Sequence, residues 1–234
     1  MRSLFHLIAY HVTRLAAKAL FGCVTRIRVT GGEETRRRGA FILAANHISH
    51  FDPPIIATAI RRKVDWMAMA EFFPHPVLGP ILRAIDCLPT DRHRSERKTI
   101  RRVIERLKAG RIVGMFPEGG IRDGAASVLE GAPLRPGVSA LAHIANAPIL
   151  PCVILGTDRL YARENWRPFR RTPVWIIFGS PIFASGPGSN RAEREQTEQQ
   201  LSTVFRELYA KAQRLFSLTA DDLPKPPRER MRSC

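Results

Sequence analysis

The chain is poor in cysteine, and its four cysteines (Cys23, Cys87, Cys152 and Cys234) are scattered with no Cys-x-x-Cys pair. That spacing excludes the common zinc and dithiol frameworks and points to reduced thiols, with Cys87 and Cys152 packed in a core. Apolar runs are short as well: none reaches the eighteen or so uninterrupted residues that a membrane-spanning helix needs. The N-terminus lacks the compact apolar stretch and small-residue cleavage site of a secretory signal. Acidic residues are in deficit, 21 against 37 Lys and Arg, for a net charge of +16. Such an excess calls for an anionic partner: a phospholipid surface, nucleic acid, or an acidic carrier or substrate. Zinc-finger and RNP-type signatures are absent, so nucleic acid is not the expected partner. A Gly-x-Ser-x-Gly elbow is missing too, which argues against a serine hydrolase.

What is present fits one domain with a proper core, since 234 residues are 44% hydrophobic. Strand-like and helix-like stretches alternate. The pattern predicts an α/β fold: a mixed, largely parallel sheet flanked by helices. Residues 2 to 21 hold no Gly or Pro and end at Gly22, a plausible helix stop. Arg2, His6, Arg14 and Lys18 line one face of that helix, with Leu4, Phe5, Leu7, Ile8, Val12, Leu15 and Leu20 over much of the rest. The expectation is an interfacial helix over 1–22, apolar side in the acyl boundary and basic side towards headgroups. A helix docked on the protein's own core is the competing reading. A single domain over 23–217 follows, and a Pro/Arg tail over 218–234 reads as disordered.

The densest chemistry lies at Asn46-His47-Ile48-Ser49-His50-Phe51-Asp52-Pro53-Pro54. The apolar run Ala40 to Ala45 before it reads as a buried strand, and Ile55 to Ile60 after it as a helix. A histidine and a carboxylate therefore share a strand-to-helix turn. A neutral imidazole can take a proton from a hydroxyl, while a carboxylate on its other nitrogen fixes the tautomer. Asp52 before a proline equally suits a helix N-cap. Some seventy residues later, Ile112 to Phe116 reads as a strand running into Pro117-Glu118-Gly119-Gly120-Ile121-Arg122.

Asn-His-x4-Asp followed by Phe-Pro-Glu-Gly resembles the glycerolipid acyltransferase family, the type that acylates 1-acylglycerol-3-phosphate. Leu88-Pro89-Thr90-Asp91-Arg92 is similar to that family's second block and Ala147 to Val153 to its fourth. The resemblance covers about residues 25 to 180. It implies acyl transfer from a thioester, on coenzyme A or acyl carrier protein, to the free hydroxyl of a lysophospholipid at the cytoplasmic face of a membrane. His47 would be the general base and Asp52 its orienting partner. Arg92, Glu118, Gly119 and Arg122 would hold the glycerol-phosphate end, with no metal or resident cofactor. Two departures stand out. Glu71 occupies the neighbourhood of a family lysine, and Arg122 falls one residue later than the family's Gly-Thr-Arg would place it. The acceptor remains open among lysophosphatidic acid, another lysophospholipid and an amino-acid lipid, and a catalytically idle adaptor on the same fold is the rival.

Five further stretches carry expectations. Phe72 to Pro80 is apolar and proline-broken, either the border of an acyl groove or a packed loop. His93 to Lys108 reads as a helix with Ile100, Val103, Ile104 and Leu107 on one face. Arg94, Arg97, Lys98, Arg101, Arg102 and Arg106 take the other, an electrostatic surface. Asp123 to Leu134 reads as a flexible loop. Arg135 opens a helix where the family usually has lysine. Tyr161 to Arg171 mixes aromatics and arginines, as a membrane-interface loop or an ordinary one.

Overall fold

The structure, a computed structural model, describes residues 2–91, 97–168, 171–184 and 190–232. Arg92, Arg94, Phe169 and Arg170 therefore lie outside the described residues, as does the side chain of Arg2. Seven strands build one sheet: β1 (Thr25–Thr30), β2 (Phe41–Ala45), β3 (Val64–Met69), β4 (Leu88–Thr90), β5 (Ile112–Met115), β6 (Ile149–Leu155) and β7 (Thr172–Phe178). Their order is β1-β7-β6-β2-β5-β3-β4. Every neighbouring pair is parallel except β6 with β7, so β6, β2, β5, β3 and β4 run one way and β7 with β1 the other. The mixed, largely parallel sheet expected from the alternation is present, with β1 at one edge. β2, β6 and β7 are β-branched or apolar runs buried on both faces, as the middle of a covered parallel sheet requires.

Helices cover both faces. On one side lie α1 (Arg2–Val24), α2 (Asp52–Ala59) and α3 (Leu78–Ala84). They pack with Phe41, Leu43, Trp66, Leu150 and Ile154 of the sheet. On the other lie α4 (Arg97–Lys108), α5 (Val138–Ala145) and α6 (Arg191–Phe216), packed with Ile42, Val113, Ile149, Val153 and Ile177. Alternate residues of β2 feed the two cores, the period of two that puts successive side chains on opposite faces. Cys87 and Cys152 are both buried, as expected.

α1 differs from its expectation in three ways. It continues through Gly22 to Val24. Its stretch Leu4–Val24 is long and apolar enough to cross a bilayer by length and composition, although no uninterrupted apolar run of that length exists. Two members of its basic row, His6 and Arg14, face the protein together with Tyr10. The His6 ring Nδ1–H donates to the Ala84 carbonyl at 2.8 Å, Arg14 Nε to the Ala57 carbonyl at 3.1 Å, and the Tyr10 hydroxyl accepts from Val64 N–H at 3.2 Å. Tyr10, Phe21 and Val24 are buried, while Leu4, Phe5, Ile8, Val12 and Leu15 are exposed, Leu15 to 67%. The helix therefore docks by His6, Tyr10, Arg14, Phe21 and Val24, leaves Lys18 exposed, and presents the apolar row of Leu4, Phe5, Ile8, Val12 and Leu15.

Other boundaries moved for local reasons. The proline-broken stretch runs into α3, because Pro80 sits in the helix's first turn, where its missing N–H has no intrahelical partner to lose. Gly79 is needed there: a Cβ would lie 2.1 Å from the Phe73 carbonyl oxygen. Ile85 caps that helix, and β4 begins at Leu88. Asp123 to Leu134 forms two short 3-10 turns that bury Ser127, Val128 and Leu129. The tail is ordered over its described part, with a 3-10 turn at Ala220–Asp222 and α7 (Pro227–Arg232). Arg230 Nε there meets the buried Asp158 Oδ2 at 2.6 Å.

Candidate active site

Five parallel strands end on one edge of the sheet, and β2, β5 and β6 lie side by side. The residues just past their C-terminal ends converge there, as in other open α/β sheets. β2 delivers His47, β5 delivers Glu118 and β6 delivers Thr157. Asn46 closes the sheet at this edge, its side-chain amide exchanging hydrogen bonds with the N–H and C=O of Ile154 at 2.8 and 3.0 Å.

His47 and Asp52 are paired. The imidazole Nδ1–H donates to Asp52 Oδ2 at 2.8 Å, with Asp52 fully buried and the His47 side chain 12% exposed. Oδ2 also accepts from the N–H groups of Ile48 and Ser49 at 2.8 and 2.9 Å, and Oδ1 from the Thr157 hydroxyl at 2.5 Å. Asp52 is the first residue of α2 rather than its cap, and Phe51 stands at the cap position. Its lone pairs are filled by the turn and the histidine, so a buried carboxylate stays satisfied without a cation. The imidazole is fixed with Nε2 the nitrogen left without a protein partner among the described residues. Phe116 stacks on the ring at 4.0 Å between centroids and is itself stacked on Trp66 at 5.4 Å. Gly114 makes room for Trp66, since a Cβ there would lie 2.6 Å from the indole.

Glu118 holds the backbone of His47. Its Oε2 accepts from His47 N–H at 2.6 Å and its Oε1 from Ser127 Oγ and Val128 N–H, both at 2.8 Å. At 5% exposure the carboxylate is turned inward, and burial pushes its pKa above the usual carboxylate range while those donors pull it back. The Arg122 N–H donates to the His47 carbonyl at 2.8 Å, so the post-β5 segment grips both sides of the histidine's backbone.

Two arginines border this grip. The Arg122 guanidinium has the Ile121 carbonyl, at 3.5 Å, as its recorded partner among the described residues. Arg135 is exposed and its side chain crosses Gly119, where a Cβ would lie 2.3 Å from Arg135 Cδ. Gly119 also has φ +68°, a conformation that suits glycine. Glu118, Gly119, Arg122 and His47 are thus brought together as the sequence implied; Arg92 lies outside the described residues. Sequence reasoning missed Thr157 and Ser127, whose residue types carry no signal apart from their neighbours in space, and gave Phe116, though it stands in the Phe-Pro-Glu-Gly motif, no role. Ser49, the one serine beside His47 in sequence, is buried, with its Oγ accepting from Phe51 N–H. Tyr161, half-buried, accepts from the His50 N–H at 3.1 Å, which draws the aromatic loop over the α2 turn.

A family model described as Acyltransferase matches residues 26–155, more than half of the sequence. The chain is an acyltransferase of that family. It is 26% identical over 181 residues to the 1-acyl-sn-glycerol-3-phosphate acyltransferase of Bacillus subtilis (strain 168), covering 75% of this chain and 85% of that one. Over 163 residues it is 31% identical to the human lysophospholipid acyltransferase LPCAT4, covering 67% of this chain and 29% of that longer protein. The crystal structure of the LPA acyltransferase PlsC from Thermotoga maritima superposes with a TM-score of 0.67 at 24% identity, over 86% of this chain and 80% of that one. That likeness shows the fold. The acyltransferase motifs and the matched region coincide with the edge built by β2, β5 and β6.

Proposed function

We propose that this O-acyltransferase moves a fatty acyl group from a thioester to the free hydroxyl of 1-acylglycerol-3-phosphate, giving phosphatidic acid. The observation that carries the reading is the His47–Asp52 pair, with Nδ1 committed to a buried carboxylate and Nε2 open. In the proposed step Nε2 takes the proton of the acceptor hydroxyl as its oxygen attacks the thioester carbonyl. The C–S bond then breaks and the leaving thiolate takes that proton back from the imidazolium. Proton and charge balance with no metal or resident cofactor. Asp52 stabilises the imidazolium between the two half-steps.

Arg122 and Arg135 supply the cations for the acceptor's phosphate, with Arg92 a third by resemblance. Guanidinium suits phosphate because its paired N–H groups match two oxygens. Glu118 acts through His47: it is buried with both oxygens taken by protein donors, one of them the His47 N–H, so it positions the base. Gly119 lets Arg135 lie against the turn. The similarity to a 1-acyl-sn-glycerol-3-phosphate acyltransferase over most of both chains supports this acceptor above other lysolipids. The exposed apolar row of α1 supports membrane association, with a cytoplasmic-face, monotopic placement as our reading.

The test is thioester consumption by the purified protein with acyl-coenzyme A, with and without lysophosphatidic acid, beside His47→Ala. Acceptor-dependent turnover that falls by about 10²–10⁴ in the variant is the expected result. Turnover indifferent to the phosphate acceptor, or unaffected by the substitution, would overturn the reading.

A further inference from the structure

Three consecutive side chains in the turn after β6 reach two different partners. Thr157 donates to Asp52 Oδ1, while Asp158 and Arg159 hold the C-terminal segment. Asp158 Oδ2 accepts from Arg230 Nε at 2.6 Å and from the Lys225 N–H at 3.1 Å. Arg159 Nη2 donates to Asp222 Oδ1 at 2.5 Å and to the Asp221 carbonyl at 2.7 Å. Arg230 Nη2 closes the clasp on the Leu223 carbonyl at 3.0 Å. The segment is braced internally too, by the reciprocal bonds of Thr219 and Asp222. An unbroken chain of contacts thus runs from Arg230 through Asp158, one peptide unit, Thr157 and Asp52 to His47.

For stability alone the clasp is a costly device. Asp158 is fully buried, and its Oδ1 lacks a hydrogen-bond partner among the described residues. Burial pushes its carboxyl above the ordinary range, against the pull of Arg230. Packed apolar side chains would hold a tail as firmly, since a buried ion pair seldom gains over them. What the pair adds is direction. Charge-assisted bonds from a guanidinium and a backbone N–H admit one placement of the carboxylate, and so of the backbone one residue before it. Thr157 needs that placement, because its hydroxyl is the recorded partner of Asp52 Oδ1 among the described residues.

We propose that Arg230 is a positioning residue of the acyl-transfer site: the C-terminal segment clasps the turn after β6 and, through Asp158 and Thr157, fixes the carboxylate that orients His47. The proposal rests on the acyl-transfer reading with His47 as the base. It gives residues 219–232 a part in turnover as well as in stability. Any change that undocks the segment slows the reaction without touching a substrate.

The experiment is a double-substitution cycle in the full chain: Arg230→Ala, Thr157→Val and the two combined. Turnover of acyl-coenzyme A with lysophosphatidic acid is measured below every variant's thermal midpoint. Expected is a loss in kcat of about tenfold for each single variant, the scale of one charge-assisted hydrogen bond, with acceptor KM within about twofold. The combined variant should lose no more than the larger single loss, because both act through one contact. Arg230→Lys, which keeps the charge, should recover most of the loss. If Arg230→Ala does not fold, Asp222→Asn takes its place in the cycle, loosening the outer clasp at a partly exposed position. Wild-type kcat in a folded tail variant, or single losses that multiply in the combined one, would overturn the proposal and leave the segment to stability alone. Deuterium uptake of the peptide over 46–55 reads the coupling without turnover. It should rise in the tail variants, and unchanged uptake there counts against the proposal equally. Faster exchange in that peptide, beside a His47→Ala variant as active as the wild type, would instead sink the acyl-transfer reading and leave the clasp standing.

Discussion

Thr157 donates its hydroxyl to Asp52 Oδ1 at 2.5 Å across 105 residues of sequence, joining the end of β6 to the turn after β2. The contact fixes the carboxylate from the side opposite His47, so the histidine's orientation depends on a threonine that meets no substrate. Thr157→Val keeps the shape and removes the donor, leaving one buried carboxylate oxygen short of a partner. A hydrogen bond to a charged group is worth about 2 kcal/mol, which for a chain of this size lowers the thermal midpoint by roughly 4–8 °C. The turnover number should fall while the acceptor KM stays within a factor of two or so. A variant with wild-type kcat would show that Asp52 needs no support from β6.

Glu118 gives a pH signature of definite sign. Burial lifts its carboxyl above the ordinary range, so the ionised form costs stability in the folded state. That cost is absent below the ordinary carboxylate pKa of about 4 and fully present above the raised value. Between those limits the wild type loses stability as pH rises, and Glu118→Gln, which cannot ionise, does not. The midpoint difference, wild type minus variant, should therefore shrink from pH 4 to pH 7 in thermal scans. Growth of that difference with pH would contradict a buried, strained carboxylate. Because Glu118 holds the His47 N–H, the same variant should lose kcat more than acceptor affinity.

The phosphate-holding role of the two arginines is separable from catalysis. Arg122→Ala or Arg135→Ala removes charge-assisted hydrogen bonds of about 1.5–3 kcal/mol, which corresponds to roughly 10–100-fold in acceptor KM. An acceptor lacking the phosphate should be insensitive to both substitutions. Equal losses with either acceptor would place these side chains in the scaffold.

How much of this was legible in sequence depended on whether the partner of a residue was near in the chain. His47 and Asp52 lie five apart and announce themselves. Glu118 was visible as a motif, but its inward turn was not, because Ser127 and Val128 lie in a stretch whose small residues read as a mobile loop. The tail read as disordered for the same reason. Its Pro and Arg content matches a disordered segment, and partners far off in sequence, the buried Asp158 for Arg230 and Arg159 for Asp222, hold it against the domain. Arg230→Ala would leave that carboxylate buried without its cation, a loss of roughly 3–5 kcal/mol to be read as a lowered thermal midpoint. A variant as stable as the wild type would mean that the tail is dispensable.

Periodicity sorted α1 into two faces and could not say which one docks. His6, Tyr10 and Arg14 turned inward because the Ala84 and Ala57 carbonyls and the Val64 N–H are open to them, groups that no property of residues 2 to 24 reveals. The two orientations predict opposite mutants. If headgroups were bound through the basic row, Arg14→Ala would weaken vesicle binding and spare the fold. With Arg14 bonded to Ala57, that substitution should instead lower the thermal midpoint. The membrane contact falls to Ile8, Val12 and Leu15, which stand on one face and are exposed. Replacing all three by asparagine should leave the midpoint near the wild type, because none of them packs in the core. Each apolar side chain taken up by the acyl boundary contributes about 1.5 kcal/mol or more, so vesicle partitioning should drop by at least about a hundredfold. Binding of the wild type should persist at high salt, since burial of apolar surface is not screened as charge is. Vesicle binding that survives the triple substitution but disappears with salt would return the basic row to the membrane.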